Sequence, residues 1–486
     1  MVNQTVEAIR NGDVLVAGAG VAGAGVARML GCLGRLGAPD RAVTIADDNV
    51  AAGGRLAEET GARAVTVVDA VQLLSDGAFA LVITSPGWRP DGPVAVAAGE
   101  AGVPVIGDVE AAWLADRAGL FGAPRTWLAV TGTNGKTTTT AMLDAILRAD
   151  GRSSLAVGNI GTPPGEALLA EPRVDVLAAE VSSFQLHWAP DFAPDAGCVL
   201  NLAEDHLDWH GSFDNYAADK MRALTGDVAV VAADDARVVA GASGGSGVTG
   251  ERRAFTTGDP AEVADPASTV TGVRDGRLVE LDTSTGTLTD LADTEGISPP
   301  GPAGVADAAA AAALSRSIGV STSAVAAALA DFRVQAHRGQ VVAETEGARW
   351  IDNSKATNPH AATAALRGLT DVVWVAGGQL KGAAVDEMVA EVAPGLRGVV
   401  LLGVARAVLA DALALAAPDV PVRVVDETDP VAAMSEAVDA ARDLAASCHS
   451  AVSVVLAPAA ASLDMYDGMS HRGDLFAAAA RKDGEP

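Results

Sequence analysis

The chain has 486 residues, 34 Lys+Arg against 62 Asp+Glu, and so a net charge of −28. At roughly 100–200 residues per domain this length suggests three domains, and a hydrophobic content of 49% excludes a disordered chain. Such acidity argues against nucleic acid or an anionic membrane as the main partner, because counterion-driven binding needs a basic face; a phosphate site must be a local exception.

Cys32, Cys198 and Cys448 form neither a disulfide framework nor a Cys-x-x-Cys metal knuckle, which favours a reducing cytosol. The N-terminus lacks a basic region followed by an apolar core, so no signal peptide is read. No apolar stretch reaches the ~20 residues of a membrane span. A cytoplasmic protein is expected, and the acidity with no evident heptad seam favours a monomer.

Short apolar runs bounded by Gly, Asp or Pro alternate with Ala/Leu/Arg-rich stretches of helical length, the pattern of parallel α/β units. Strands are expected at 14–17, 42–46, 80–84, 127–131, 174–179, 197–200 and 227–232, then at 349–351, 372–376, 399–402, 422–425 and 452–456. A Gly/Pro break at 121–124 and the end of helix-like 305–318 and 325–332 divide the chain into 1–122, 123–335 and 336–486. Segments 241–250 and 272–302, rich in Gly, Ser, Thr and Asp, read as loops with short, weak strands. No internal repeat is evident.

In the first block, Gly18-Ala-Gly20-Val-Ala-Gly23 follows a strand and opens a helix, with Asp47 ending the next strand. Taken alone, this G-x-G-x-x-G suggests NAD and an oxidoreductase. Its geometry selects a diphosphate on a helix N-terminus, and UDP satisfies that equally well.

In the second block, Trp127-Leu-Ala-Val-Thr-Gly132-Thr-Asn-Gly135-Lys136-Thr137-Thr138 runs from a strand through a Gly-rich turn into a helical pattern. Gly132 and Gly135 let successive N–H groups point at one anion. Lys136 would neutralise terminal phosphates, and the Thr137 hydroxyl would ligate Mg²⁺. Val130 stands where the general G-x-x-x-x-G-K-[ST] pattern has Gly, so the fit is to a variant. Glu180 closes a strand and His206 lies just past the next. Their place at one sheet edge lets them converge on a cation, and hard oxygens with one imidazole suit Mg²⁺ or Mn²⁺. By composition alone Lys220 is a surface lysine on an amphipathic helix. No Ser-His-Asp or Cys-His arrangement suggesting a covalent enzyme intermediate is visible.

The string Gly132–Thr138 resembles the ATP loop of the Mur ligases and their folylpolyglutamate synthetase relatives. Gly158-Asn-Ile-Gly161, Glu180-Val-Ser-Ser-Phe-Gln-Leu186, Asn201-Leu-Ala-Glu-Asp-His-Leu-Asp208 and Asp352-Asn-Ser-Lys-Ala-Thr-Asn358 follow in that family's order. The Ser183-Phe-Gln-Leu186 and Ser354-Lys-Ala-Thr-Asn358 strings are similar to the D-glutamate-adding branch, and the Asp-Asn-Pro-Arg string of diamino-acid-adding relatives is missing. The resemblance implies an α/β fold of three domains: a Rossmann-like UDP-binding domain, a P-loop ATPase-like central domain and a Rossmann-like C-terminal domain. It implies an ATP-dependent ligase that joins D-glutamate to UDP-N-acetylmuramoyl-L-alanine through an acyl phosphate.

Site roles follow from the same resemblance. Gly18, Gly20, Val21, Ala22, Gly23, Asp47, Ser85, Gly87, Asn159, Ser183 and Gln185 are implied to bind the UDP substrate, Ala22 replacing a hydroxyl residue common in relatives. Gly132, Thr133, Asn134, Gly135, Lys136, Thr137 and Thr138 would hold ATP, with Asp307, Arg338, Asp352 and Lys355. Asp307 replaces the last Asn of a His-Asn-x-x-Asn string, so it can accept from adenine but not donate. Thr137, Glu180, His206 and Lys220 are implied to hold two Mg²⁺ ions, Lys220 as a CO₂-derived carbamate. Lys136, Glu180, His206, Lys220, His337 and Arg338 would be catalytic. Thr357, Lys381, Ser462, Leu463 and Met469 are implied to bind D-glutamate, Met469 replacing an aromatic residue. The alternatives are another ligase of this type with a different amino acid, an NAD-dependent oxidoreductase, or a non-catalytic nucleotide-binding regulator.

Overall fold

A computed structural model describes residues 2–35, 42–243, 250–264, 267–334, 336–345, 347–448 and 450–481. Among the described residues, twenty strands form three sheets. The first holds β1 (Val14–Ala17), β2 (Val43–Ala46), β3 (Arg63–Val65), β4 (Leu81–Thr84) and β5 (Val105–Gly107) in the order β3-β2-β1-β4-β5, all parallel. The second holds β6 (Thr126–Thr131), β7 (Ser154–Gly158), β8 (Val176–Glu180), β9 (Ala196–Val199), β10 (Val228–Ala232), β11 (Glu251–Phe255), β12 (Thr269–Arg274), β13 (Arg277–Asp282) and β14 (Leu288–Asp293). Its order is β14-β13-β12-β11-β10-β9-β6-β8-β7, parallel except for the antiparallel pairs made by β13. The third holds β15 (Gln340–Thr345), β16 (Ala348–Asp352), β17 (Val372–Gly377), β18 (Leu396–Leu402), β19 (Val422–Val424) and β20 (Val452–Leu456) in the order β15-β16-β20-β17-β18-β19, with only β15 antiparallel.

These elements fall into two compact units, Met1–Asp293 with Asp307–Leu329, and Thr294–Ala306 with Ala330–Pro486. In the second unit, alternate residues of the central strands bury on opposite faces. Val373, Val375 and Val400 pack into a core with Trp350 and Phe476, while Trp374, Val399 and Leu401 pack into another with Leu409 and Leu413. A sheet covered by helices on both sides has apolar strands without polar alternation, which is why these runs stand out in the sequence. The joint between the first two sheets is ionic. Asp116 and Arg125, both buried, pair at 2.6 Å across the Gly/Pro break, Arg125 also donates to the carbonyls of Leu168 and Val174, and the Trp127 indole donates to Asp116 at 3.0 Å. Just before it, two buried carboxyls sit on the helix Asp108–Arg117; burial raises Asp108 to about 6 and Glu110 to about 7.

All twelve expected strands are present, with ends shifted by up to three residues. Segment 272–302 is more ordered than expected: it carries most of the β12–β13–β14 meander, which extends one end of the sheet through two antiparallel pairings, with β14 as the edge strand. In the loop expected at 241–250, positions 244–249 lie outside the described residues, as does Gln335 at the expected domain boundary. The helix-like segments form Pro302–Ser317 and Thr322–Asp331. No helix among the described residues is long and apolar enough to cross a membrane.

Candidate active site

Strand β6 runs directly into the glycine loop, and Lys136 begins the helix Lys136–Ala149. Gly135 caps that helix at φ +83°, a left-handed conformation that costs glycine nothing. A Cβ there would fall 2.4 Å from Asp307 Oδ1. The loop is braced from the β9 exit: Asn134 N–H donates to Asn201 Oδ1 at 2.8 Å, and Asn201 Nδ2 donates to the Asn134 carbonyl at 3.1 Å. Thr133 receives Ala203 N–H at 2.9 Å and shares a hydrogen with the Tyr216 hydroxyl at 2.9 Å. Lys136 Nζ curls back to the carbonyls of Gly132 and Thr133, both at 2.9 Å. Thr137 and Thr138 are buried in the first helical turn. Asp307 accepts from Thr139 at 3.0 Å, which fixes its carboxylate against the loop.

Lys220 is not the surface lysine its composition suggests. It is 2% exposed, and Nζ donates to the Gly132 carbonyl at 2.8 Å above the Tyr216 ring. Burial first, and then the charge of Lys136, hold its pKa well below the ordinary lysine value. Glu180 ends β8 with 1% exposure. Asn159 donates to its Oε1 at 2.8 Å, whereas its buried Oε2 has no protein partner. An unpaired buried carboxylate oxygen beside a phosphate loop fits a hard divalent cation, with Thr137 in the helical turn that follows the loop and Lys220 bonded to the loop's Gly132 carbonyl. His206 is not drawn into this pocket: its side chain is 47% exposed, φ is +52°, and Nε2 lies 3.6 Å from Asp205. The expected convergence of His206 with Glu180 is therefore not seen among the described ligand atoms, because the left-handed backbone turns the ring towards its own neighbour.

A different histidine is buried instead. His210 Nε2 lies 3.0 Å from Ser183 Oγ, and its Nδ1 lies 3.1 Å from Asp219 Oδ2, which also meets His187 Nδ1 at 3.0 Å. The structure thus contains the Ser-His-Asp series that the sequence did not reveal, because its members come from three separate helices. His187, His210 and Asp219 are also the one group of three potential metal ligands found among the described residues. Gln185 is occupied structurally. It completes a capping box with Ser182, and its Nε2 donates to Asp108 at 3.1 Å.

In the first sheet, Asp47 Oδ2 accepts from Ala19 N–H at 2.7 Å and so shapes the glycine turn itself. Gly18 is at φ +105°, and a Cβ on Gly23 would lie 1.9 Å from the Gly18 carbonyl, so both positions require glycine. Gly20, Val21 and Gly87 are exposed, and Ala22 half-buried, around this turn. Ser85 Oγ is buried without a protein partner beside Gly18, an open donor where a diphosphate would lie.

In the second unit, His337 Nδ1 meets Asp352 Oδ2 at 2.6 Å, and Asp352 Oδ1 accepts from Ser354 N–H at 2.9 Å. Asp352, fully buried, is thus the partner of His337. Lys355 has its pKa lowered by burial and by the charge of Arg338, so two cations share one neighbourhood. The Lys381 loop is tied to the Ser462 segment by Gln379–Ala461 backbone bonds of 2.8 and 3.0 Å. Ser354 Oγ donates to the Met469 carbonyl at 2.7 Å, and buried Arg472 donates to Ser354 Oγ at 3.0 Å. Lys381, Leu463 and Met469 are exposed, Thr357 is half-buried and Ser462 is buried. The sequence reading missed Asn201, Tyr216, His210 and Asp219. Asn201 had a signal, an amide side chain just past a strand on the loop-bearing edge; the others did not.

The family description "Mur ligase middle domain" matches residues 130–279, and "Mur ligase, glutamate ligase domain" matches 337–458. The chain is 58% identical to the UDP-N-acetylmuramoylalanine–D-glutamate ligase of Corynebacterium jeikeium, over 98% of this chain and 94% of that protein. It is 49% identical to the enzyme of the same name from Mycolicibacterium smegmatis, over 96% of each. Among solved structures, its fold is similar to UDP-N-acetylmuramate-alanine ligase MurC from Thermotoga maritima, with TM-score 0.52, 17% identity, and 96% and 99% of the two chains covered. It is also similar to E. coli FolC in complex with ADP, with TM-score 0.52, 18% identity, and 78% and 95% covered.

Proposed function

This chain belongs to the Mur ligase family, and from that premise we propose that it joins D-glutamate to UDP-N-acetylmuramoyl-L-alanine with conversion of ATP to ADP and phosphate. The observation that carries the chemistry is the glycine-bent loop flanked by Lys136, Lys220 and the unpaired Glu180 oxygen. Joining a carboxylate to an amine in water is uphill. The acceptor carboxylate therefore attacks the γ-phosphorus of ATP, the P–O bond to ADP breaks, and an acyl phosphate forms. The neutral amine of D-glutamate then attacks the acyl carbon, phosphate leaves, and the ammonium proton passes to solvent.

Both partners of the first step are anions. At ~4 Å and an effective dielectric of ~20, each unit pair repels by about 4 kcal/mol, so cations are indispensable. Lys136 supplies one at the loop, and backbone N–H groups of the first helical turn add partial charge. Lys220 acts differently. Its lowered pKa keeps a neutral amine available; the nitrogen would bond to the carbon of CO₂ with loss of a proton, turning that neutral amine into an anionic carbamate. Mg²⁺ held by Thr137, Glu180 and that carbamate would neutralise phosphate charge. In the second unit, Arg338 and Lys355, two neighbouring cations, would hold phosphate or carboxylate, with Asp352 orienting His337. Thr357, Lys381 and Ser462 would receive the two carboxylates of D-glutamate. Gly18–Gly23 and Ser85 would receive the UDP diphosphate.

We assign the division 1–122, 123–335 and 336–486 to UDP, ATP and amino-acid binding, with a monomer in the cytoplasm as the working form. Phosphate release should be measured across a panel of amino acids with UDP-N-acetylmuramoyl-L-alanine as acceptor. Release with D-glutamate alone supports the assignment, and release with L-alanine or a diamino acid refutes it.

A further inference from the structure

We propose that Trp88 is a further substrate-binding residue: its indole N–H, alongside the Ser85 hydroxyl, donates to a phosphate oxygen of the UDP-linked acceptor, and Trp188 holds it in place. This rests on the first sheet binding a uridine diphosphate, as in the proposed function. The donors of this loop extend past Gly87. A Cβ on Gly18 would lie 2.5 Å from Ser85 Oγ and 3.0 Å from Trp88 Nε1, so both groups converge on the side of the turn that glycine leaves open. Ser85 Oγ has no protein partner, and no described residue accepts from the Trp88 indole. An indole N–H can only donate, so the ligand group it meets is an acceptor. A phosphate oxygen, rich in lone pairs and charge, fits; an amine or amide N–H does not.

The indole is held from both its ring and its backbone. The half-buried ring packs against the core of the first sheet that contains Leu15, Val82 and Val94. Trp88 N–H closes the turn onto the Ser85 carbonyl at 3.2 Å, and the Trp88 carbonyl accepts from Trp188 Nε1, also at 3.2 Å. Trp188 directly follows the helix Ser183–His187, and its own carbonyl takes Gly107 N–H at 2.6 Å. The next residue along, Arg89, is committed elsewhere, to Asp91 at 2.8 Å and to the Asp208 carbonyl at 3.1 Å. At this loop the diphosphate charge is therefore met by neutral donors, Trp88 and Ser85, added to the N–H groups that open the helix Val21–Arg35.

Two measurements on the full-length protein decide this. Nitrogen-15 spectra resolve the indoles of its seven tryptophans, and loss of one signal in Trp88→Phe assigns Trp88. UDP should shift that indole signal, and uridine should leave it in place. A UDP titration that shifts the amides of the glycine turn but not this indole overturns the inference. An equal shift with uridine also overturns it, because the indole would then meet the nucleoside. Kinetically, Trp88→Phe keeps an aromatic ring and removes the donor. KM for the UDP-linked acceptor should rise about tenfold, the equivalent of ~1.4 kcal/mol, while KM for ATP and for D-glutamate stays within about twofold. Trp188→Phe should raise the same KM about threefold, and the double variant should lose no more than Trp88→Phe alone. Additive losses, or a rise in all three KM values, overturn the inference. Should Trp88→Phe not fold, Trp88→Tyr assigns the signal and the wild-type titration decides. Failure of the wild type to release phosphate with D-glutamate refutes the proposed function instead, and the indole titration is still read independently.

Discussion

Replacing Asp108 with Asn and Glu110 with Gln should flatten the pH dependence of stability, because both carboxyls are buried and protonate more readily in the folded chain than in the unfolded one. The rise from 3.8 to about 6 for Asp108, and from 4.5 to about 7 for Glu110, corresponds to at most about 3 kcal/mol each. The sign follows from proton binding. Between about pH 4 and about pH 7 the native state holds protons that the unfolded chain has released, so stability falls as pH rises through that window and levels off above it. The charge of −28 destabilises the protein in the same direction, so the wild type alone cannot separate the two effects. The difference between wild type and double variant can. In urea titrations the variant should gain several kcal/mol over the wild type near about pH 8 and almost nothing near about pH 4.5. A difference that stays constant across this range refutes the assignment of buried, protonated carboxyls.

Lys136→Ala should abolish ATP-dependent phosphate release while leaving the fold intact, as read by phosphate assay and circular dichroism. Lys220→Ala should lose activity and regain part of it with short-chain carboxylic acids; an unmodified, unrescuable Lys220 in mass spectra and kinetics counts against the carbamate. Gly473→Ala would place a Cβ 2.2 Å from His337 Nδ1 and 2.6 Å from Asp352 Oδ2, so it should cost about 1–3 kcal/mol by overpacking and lower kcat; a thermal scan and steady-state kinetics check this. Asp116→Ala leaves Arg125 charged and buried, and a loss of about 3–5 kcal/mol is expected in denaturant titrations.

Much of the fold was legible because its central strands are apolar on both faces, as at Val372–Gly377 and Val452–Leu456. Short edge strands such as Arg63–Val65 carry no such run and were missed. The phosphate loop could be read because its chemistry is contiguous: glycines, Lys136 and Thr137 act through neighbouring backbone. Lys220 defeated composition for the opposite reason. Its burial depends on Tyr216 and on the Gly132 carbonyl, the latter 88 positions earlier in the chain. The series Ser183–His210–Asp219 likewise exists only after folding, when three helices meet.

The bracing of residues 133–134 by Asn201 and Ala203 has a bearing on how nucleotide is captured. A socket whose curvature is set by the neighbouring strand exit needs no ligand to shape it, so its ordering entropy is spent during folding rather than at encounter. Nucleotide therefore arrives at a rigid mould. Severing the amide clasp, as in Asn201→Ala, should slow association and enlarge the heat-capacity change of binding before it touches any later step.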